Sequence, residues 1–348
     1  MKTEALRTAL AHIRIVTAEH SVSESTSCVK ITGDTLIASR GRCGISVTTE
    51  DSGVEVTVDA KRLAVTVGKL TSDDVDLSVS GNQLVIKGGP QVGRIRTSDA
   101  EIELLDVSTE KTATILSDEL TRILDVAAIA SSKNTGPQSL QGRVLLSSGE
   151  NVSAVGCNAS DLCQAWADGG GDEFSAILDT EAAKDLARIC SLHKSQQVEL
   201  SASENMLAIS IDGVMYYTGL CEGQYSPSWK RVLKTRTEEA VSSIEVGPDS
   251  FARAIEFAMT SQDPETVALW FENSTGQLDV SSKKQSFGES VATVDGTCAG
   301  DEFCWAYNPT TVLAFLKKSV GMLDVKFSEN AVVVSSGNSV CLVSGMER

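Results

Sequence analysis

The stretch Val75-Asp-Leu-Ser-Val-Ser-Gly-Asn-Gln-Leu-Val-Ile86 occurs three times in this chain in related forms. It recurs as Val198-Glu-Leu-Ser-Ala-Ser-Glu-Asn-Met-Leu-Ala-Ile209 and, more loosely, as Leu323-Asp-Val-Lys-Phe-Ser-Glu-Asn-Ala-Val-Val-Val334. In each copy, apolar residues alternate on both sides of an Asn-containing turn, which predicts a β-hairpin with one buried face. The three asparagines, Asn82, Asn205 and Asn330, are 123 and 125 residues apart. The sequence therefore predicts one structural unit repeated three times.

The segments around each hairpin repeat as well. Apolar residues at helical spacing predict two amphipathic helices per unit, with further short strands between them. The predicted helices are 2–17, 60–70, 117–133, 180–194, 247–259 and 309–320, with Ser117 as an N-cap. Helices combined with hairpins predict an α+β fold made of three repeated domains, in which two helices pack on antiparallel sheets. We place the domains at 1–112, 113–240 and 241–348, with linkers near 107–114 and 234–241.

Composition excludes several classes of protein. No apolar run is long enough to cross a bilayer, and the nine cysteines are scattered without a C-x-x-C pair, so we expect a cytosolic protein with reduced thiols. The three histidines have no metal-site spacing, and no phosphate-binding or nucleophile-elbow motif occurs. We expect no metal, no cofactor and no catalytic site. Gly169–Gly171, between Asp168 and Asp172, is predicted to be a flexible turn.

Charge is distributed unevenly along the chain. The six predicted helices carry 14 Lys and Arg against 8 Asp and Glu, although the whole chain has a net charge of −17. Cationic helices in an acidic protein indicate one surface that faces a polyanion, and the lack of interleaved aromatic residues favours contact with the backbone of duplex DNA. The helical candidates for DNA contact are Arg7, Arg14, Lys61, Arg62, Lys69, Arg122, Lys133, Lys184, Arg188, Lys194, Arg253, Lys317 and Lys318.

Two motifs and the terminal segment connect the chain to a known family. Gly223-Gln-Tyr-Ser-Pro-Ser-Trp-Lys-Arg-Val-Leu233 and Ser139-Leu-Gln-Gly142 resemble segments of the middle domain of bacterial DNA polymerase III beta subunits, the beta sliding clamps. Val343-Ser-Gly-Met-Glu-Arg348 is similar to their apolar C-terminal tail. The match covers all three predicted domains in order, and a divergent phage or plasmid clamp is compatible with it.

The resemblance implies a non-enzymatic processivity factor. Two protomers would join head to tail into a ring around duplex DNA, bound without regard to sequence, and would tether the replicative polymerase and the clamp loader through short peptides. His20 and Lys133-Asn134 would contact DNA, while Ile95, Met259 and Thr260 would lie at the dimer interface. The peptide pocket, between the middle and last domains, would be lined by Leu140, Gly156, Leu162, Pro227, Arg231, Val232, Leu342, Val343 and Met346.

Two departures from the family's pattern concern this pocket. The turn Cys157-Asn-Ala-Ser-Asp-Leu162 is one residue longer than its counterpart, and Ser344-Gly345 replaces Met-Pro, so an altered peptide specificity is expected. Two other functions stay open on the residues alone. One is an α+β small-molecule hydrolase with an unrecognised site, for which acidic pairs such as Asp73-Asp74 could serve, and the other is a repeat-built scaffold or adhesion module.

Overall fold

The computed structural model describes residues 1–17, 23–105, 107, 110–131, 143–223, 225, 228–261, 268–282 and 288–346. They form two compact units. Unit 1 comprises residues 1–121, 169–176 and 185–221, and unit 2 comprises residues 122–168, 177–184 and 222–348.

Helices are present in all six predicted segments, and most are shorter than predicted. An additional helix, α5, was not predicted, and its second half overlaps the predicted linker at 234–241. The α-helices are α1 (Thr3–Val16), α2 (Ala60–Gly68), α3 (Ser117–Ala130), α4 (Thr180–Ser191), α5 (Ser228–Glu238), α6 (Pro248–Ala258) and α7 (Pro309–Leu316). Short 3₁₀ helices occupy Glu24–Ser27 and Met259–Ser261.

Unit 1 is built on one twelve-stranded sheet. Its strands are β1 (Cys28–Thr32), β2 (Thr35–Arg40), β3 (Cys43–Thr48), β4 (Glu55–Asp59), β5 (Asp76–Ser80), β6 (Gln83–Gly88), β7 (Gln91–Ser98), β8 (Lys111–Leu116), β12 (Gly169–Gly171), β14 (Gln197–Ala202), β15 (Met206–Ile211) and β16 (Val214–Gly219). They follow the order β12-β8-β14-β15-β16-β3-β2-β1-β4-β7-β6-β5.

Unit 2 holds a second large sheet and a smaller one. The first has the order β13-β9-β10-β11-β25-β24-β23-β17-β21, and the second has the order β20-β19-β18-β22. Their strands are β9 (Val144–Ser148), β10 (Val152–Cys157), β11 (Asp161–Ala167), β13 (Phe174–Leu178), β17 (Ser242–Val246), β18 (Leu269–Asn273), β19 (Leu278–Ser282), β20 (Ser290–Val294), β21 (Cys298–Gly300), β22 (Phe303–Tyr307), β23 (Leu323–Ser328), β24 (Ala331–Ser336) and β25 (Ser339–Ser344).

The three repeated stretches form the predicted hairpins. β5 pairs with β6, β14 with β15 and β23 with β24, all antiparallel. In each case a third strand, which the repeated stretch does not include, continues the sheet: β7, β16 and β25. The predicted α+β fold class, with helices and antiparallel sheets repeated three times, is confirmed.

Each large sheet runs from one repeat into the next. Within unit 1, β16 of the second repeat pairs with β3 of the first, and within unit 2, β25 of the third repeat pairs with β11 of the second. The two compact units therefore do not coincide with the three predicted domains, whose boundaries stay a prediction. Each predicted linker overlaps a regular element, since β8 begins at Lys111 and α5 continues to Glu238.

The interior is apolar, as the alternating pattern requires. On α1, Leu6, Leu10 and Ile13 are fully buried, and on α6 the same holds for Phe251 and Ile255. Ser117 is the first residue of α3 rather than the residue before it. Its hydroxyl donates to the carbonyl oxygen of His193 and accepts from the N–H of Gln196, so it joins the start of α3 to the segment after α4 within unit 1.

Candidate functional site

Helix α5 covers part of the outer face of the larger sheet in unit 2. Tyr225, Trp229 and Leu233 follow each other at intervals of four residues, so their side chains lie on one face of the turn and helix. They pack against an apolar cluster of outward-facing strand residues. The cluster consists of Val155, Leu162, Ala331, Val333, Val340 and Leu342. The opposite face of α5 is polar and exposed.

A cavity of about 340 Å³ opens beside α5, within unit 2. Its lining consists of Cys157, Asn158, Ala159, Ser160, Asp161, Leu162, Tyr225, Ser228, Trp229, Val232, Leu342 and Ser344. Apolar and aromatic walls with a few polar groups are typical of ligand- and peptide-binding pockets. Sequence reasoning missed Tyr225 and Trp229 as wall residues, although aromatic side chains in a polar segment are a signal for such a site.

The predicted pocket residues are divided between the two faces of the sheet. Leu162, Val232 and Leu342 line the cavity. Val343 is buried on the other face, because neighbouring residues of a strand point in opposite directions. Gly156 also faces away from the cavity, since a Cβ there would collide with the carbonyl oxygen of Ala127 on α3.

Two further predicted pocket residues, Arg231 and Met346, are not among the described residues that line the cavity. Arg231 is exposed on α5. Met346 is 41% exposed, and its N–H donates to the carbonyl oxygen of Ala306. Leu140 and Pro227 lie outside the described residues.

The turn that departs from the family pattern is held by its own side chains. The Oδ1 atom of Asn158 accepts from the N–H groups of Ser160 and Asp161, which closes the turn. The Asp161 carboxylate is buried and accepts a 2.6 Å hydrogen bond from the Thr311 hydroxyl. The longer turn is therefore an ordered wall of the cavity.

The thiol of Cys157 and the hydroxyl of Tyr225 meet at 2.9 Å beside the cavity. Burial raises the pKa of the Cys157 thiol and also that of the Tyr225 hydroxyl. Both groups are consequently neutral near pH 7, and the contact contributes a polar but uncharged wall.

Helix α2 carries the least neutralised of the predicted DNA-contacting cations. Lys61, Arg62 and Lys69 are exposed, and within the described part of the chain none of them forms an ion pair. Asp59 caps the helix, since its Oδ1 atom accepts from the N–H of Arg62 at 2.6 Å. The same unit places Lys194, also exposed, after α4.

Arg7 has a structural role in unit 1. Its guanidinium donates to the carbonyl oxygens of Val67 and Leu70 at the end of α2, at 3.4 and 2.6 Å, and pairs with Glu4. Cations near the carboxyl end of a helix are favoured by the macrodipole. Arg7 thus joins α1 to α2, and only part of its charge is available to a ligand.

Most other predicted cations have a local partner. Arg188 pairs with Asp185, Lys184 with Glu181, Lys317 with Glu256 and Lys318 with Asp125, while Arg253 donates to the carbonyl oxygen of Asp249 and Arg122 to that of Trp166. Arg14 is exposed on α1. His20, Lys133 and Asn134 lie outside the described residues.

Two of the strands with an open edge, β7 in unit 1 and β20 in unit 2, bear on the predicted interface. In unit 1, β7 pairs fully with β6, but it meets β4 only at Thr97 and Ser98, so its segment 91–96 has an unpaired side within the described residues. In unit 2, β20 pairs with β19 alone. About half of the Val92 side chain on β7 is exposed, and likewise of Val291 on β20.

The predicted interface residues lie near these edges. Ile95 sits on β7 but is only 5% exposed and faces Leu84 across the hairpin. Met259 is half-buried after α6, and Thr260 is exposed and hydrogen-bonded to Ser290 at the start of β20. Phe257, 54% exposed on α6, was not predicted.

No protein-family model and no curated protein sequence matches this chain. Solved structures do match it over its whole length. The DNA polymerase III beta subunit of Thermotoga maritima superposes with a TM-score of 0.91 at 18% identity, covering 100% of this chain and 98% of the other. The chain has the sliding-clamp fold.

Further structures give the same result. A sliding clamp from Pseudomonas aeruginosa bound to griselimycin has a TM-score of 0.91 at 16% identity, with 100% and 98% coverage. The DNA polymerase III beta chain of Streptococcus pneumoniae has a TM-score of 0.87 at 16% identity, with the same coverage.

The described residues lack two kinds of feature. They contain no helix long and apolar enough to cross a membrane. They also contain no group of three or more His, Cys, Asp or Glu side chains that could hold a metal ion.

Proposed function

We propose that this protein is a sliding clamp that acts in the cytosol without catalysing a reaction. Two protomers close head to tail into a ring around duplex DNA, and the ring tethers the replicative polymerase as a processivity factor. The observation that carries this proposal is the likeness to sliding clamps along the full length of both chains. The three predicted domains, 1–112, 113–240 and 241–348, would be the building blocks of this ring.

The repeated strand pairing supports ring closure. At the two junctions inside the chain, the strand that follows one repeat's hairpin pairs with the third strand of the preceding repeat: β16 with β3, and β25 with β11. By the same rule, β7 of the first repeat and β20 of the third repeat each lack the corresponding partner strand within the described residues. If β7 of each protomer pairs with β20 of the other, two further junctions of the same kind form. The six repeats of the two protomers then close into a ring.

The charges of these two edges are complementary. Arg94 and Arg96 are exposed on β7, whereas Glu289 and Asp295 are exposed at the two ends of β20. Opposite charges at two edges favour their association and discourage each edge from pairing with a copy of itself. The apolar contact would come from Val92 on one side and from Val291 and Phe257 on the other.

Contact with DNA would rest on exposed helical cations. Lys61, Arg62, Lys69 and Lys194 are the strongest candidates, because they have no carboxylate partner among the described residues. Contacts to phosphates carry no sequence information and are weakened by salt, so they suit a ring that slides. The cavity beside α5 would bind short peptides of the polymerase and of the clamp loader.

The experiment that tests this function is retention on circular DNA. In solution, light scattering should give about twice the protomer mass of 36.8 kDa. After incubation with nicked circular plasmid and a bacterial clamp loader with ATP, the protein should stay on the DNA through gel filtration and be lost when the plasmid is cut once. A monomer at micromolar concentration that shows no topological retention would overturn the proposal.

A further inference from the structure

The amino end of α5 concentrates positive charge beside the cavity. The first turn of this helix holds Lys230 and Arg231 and contains no acidic residue. Cations are disfavoured there, because the amino end of a helix already carries partial positive charge. The arrangement is therefore unfavourable for the helix alone and would be relieved by an external anion.

The two halves of α5 differ in how their cations are neutralised. Near the carboxyl end, Lys234 pairs with Glu238 at 3.8 Å and Arg236 with Glu239 at 2.6 Å. In the described part of the chain, Lys230 and Arg231 form no ion pair. The Nζ atom of Lys230 lies 5.5 Å from the centre of the Trp229 ring, which is itself a wall of the cavity. The uncompensated charge of Lys230 thus lies next to an apolar wall of the cavity, and Arg231 is the next residue of the same turn.

Among the described residues, the rest of the cavity lining adds no exposed charge. Its polar lining comes from the neutral groups of Asn158, Ser160, Ser228 and Ser344. The single carboxylate, that of Asp161, is buried and bonded to Thr311. A ligand that enters this cavity therefore meets apolar walls inside and positive charge at the α5 side.

We propose that the cavity selects peptide segments in which a large apolar side chain is flanked by Asp or Glu. The apolar side chain would enter between Trp229, Leu162 and Leu342, and the acidic residues would contact Lys230 and Arg231. This proposal rests on the clamp function above and adds the chemical class of the partner segment. It follows from charge complementarity, which fixes specificity and association rate even where the net gain in affinity is modest.

The test uses two fluorescent peptides with the same apolar residues, one flanked by Asp and Glu and the other by Asn and Gln. Fluorescence anisotropy with the full-length protein should show about tenfold tighter binding of the acidic peptide at low salt, and the difference should shrink as salt rises. Trp229→Ala should weaken both peptides, because it removes an apolar wall.

The double variant Lys230→Gln/Arg231→Gln should bind both peptides equally and retain the affinity of the neutral one. Lys234→Gln/Arg236→Gln is the matched control, since it removes two cations of the same helix that already have partners, and it should keep the acidic preference. Unchanged thermal unfolding of each variant would show that α5 is intact.

Three results would overturn the inference. The first is that the wild type binds both peptides equally, and the second is that Lys230→Gln/Arg231→Gln still prefers the acidic peptide. The third is that this variant loses DNA retention while its peptide binding is unchanged. The last would assign these cations to DNA. If the protein is retained on circular DNA but shows no acidic preference, only the peptide inference is contradicted. If a monomer that does not encircle DNA shows an acidic preference, only the clamp function is contradicted.

Discussion

His12 and His193 share a hydrogen bond of 2.7 Å between their Nε2 atoms inside unit 1. The Nδ1 atom of His12 lies 2.8 Å from the carbonyl oxygen of Thr8, so this nitrogen carries the hydrogen and the His12 Nε2 accepts from His193. The Nδ1 atom of His193 lies 3.8 Å from a carboxylate oxygen of Asp212. The pair joins α1 to the segment after α4.

The His12–His193 pair should make unit 1 less stable in mild acid. Burial lowers the pKa of His12, and the nearby His193 lowers it further, while Thr8 and Asp212 act in the opposite direction; burial also lowers the pKa of His193. As pH falls below the ordinary value of 6.5, the unfolded chain takes up protons that the folded chain does not, so the free energy of unfolding decreases until the lowered pKa values are reached. Urea unfolding at pH 7 and pH 5 measures the difference.

His193→Gln provides the comparison for that measurement. The glutamine amide can still donate to His12, but it removes one titrating group, so the loss of stability between pH 7 and pH 5 should become smaller. An identical loss in the variant and the wild type would contradict the role of this pair.

Gly156→Ala should destabilise unit 2 by about 2 kcal/mol or more. A Cβ at this position would collide with the backbone of Ala127 on α3, and backbone atoms cannot move aside like the end of a flexible side chain. Gly149→Ala is the matched control, because a Cβ there meets no atom within 4 Å. Urea unfolding should separate the two variants, and equal midpoints would show that α3 and β10 are less closely packed than described.

Thr311→Val should cost about 1 to 3 kcal/mol of stability. It leaves the buried Asp161 carboxylate without its 2.6 Å hydrogen bond to the Thr311 hydroxyl. Thr310→Val, one residue earlier on α7 and exposed, should have a much smaller effect. The measurement is chemical unfolding of both variants at pH 7, and a similar cost for the two would exclude a special role for the Asp161–Thr311 bond.

Arg94→Glu/Arg96→Glu should weaken dimerisation by about tenfold or more, because it puts four acidic groups where β7 and β20 would meet. Glu289→Arg/Asp295→Arg, combined with it, should restore part of the loss. Lys326→Glu, on β23, is the control and should not change the dimer. Sedimentation at several concentrations measures these constants; an unchanged dimer in Arg94→Glu/Arg96→Glu would place the interface elsewhere.

Lys61→Ala/Arg62→Ala should reduce the affinity for nonspecific duplex DNA. The slope of log affinity against log salt concentration should also become shallower, by the equivalent of about two phosphate contacts. Lys326→Ala is the control, since Lys326 lies on a sheet strand and is paired with Asp324. Anisotropy titrations of labelled duplex at several salt concentrations give both quantities. Equal slopes for all three proteins would argue against α2 as a DNA-contacting helix.

The hairpins and the six helices could be predicted because each has a local signal. The hairpins at Asn82, Asn205 and Asn330 combine alternation with a turn residue, and the helices have an apolar stripe. Helix α5 was not predicted, although Tyr225, Trp229 and Leu233 have helical spacing, because its apolar positions are few and its second half lies in the polar segment interpreted as a linker.

The walls of the cavity were predicted only in part, for a physical reason. Side chains alternate between the two faces of a strand, so an alignment that is wrong by one residue moves a predicted wall to the opposite face. Gly156 and Val343 lie one position from Cys157 and Leu342, which do line the cavity. Gly169–Gly171 is β12, paired with β8, rather than a flexible turn, and this pairing depends on residues more than fifty positions away.

The pairing of Leu162 on β11 with Leu342 on β25 has a consequence for biosynthesis. The β11 strand emerges from the ribosome long before its sheet partner, because Leu342 follows Leu162 by 180 positions. Closing so long a loop is slow, and until then one side of β11 and much of the apolar cluster beside it are exposed in the nascent chain. We therefore expect newly made unit 2 to depend on chaperones until residue 344 has left the ribosome.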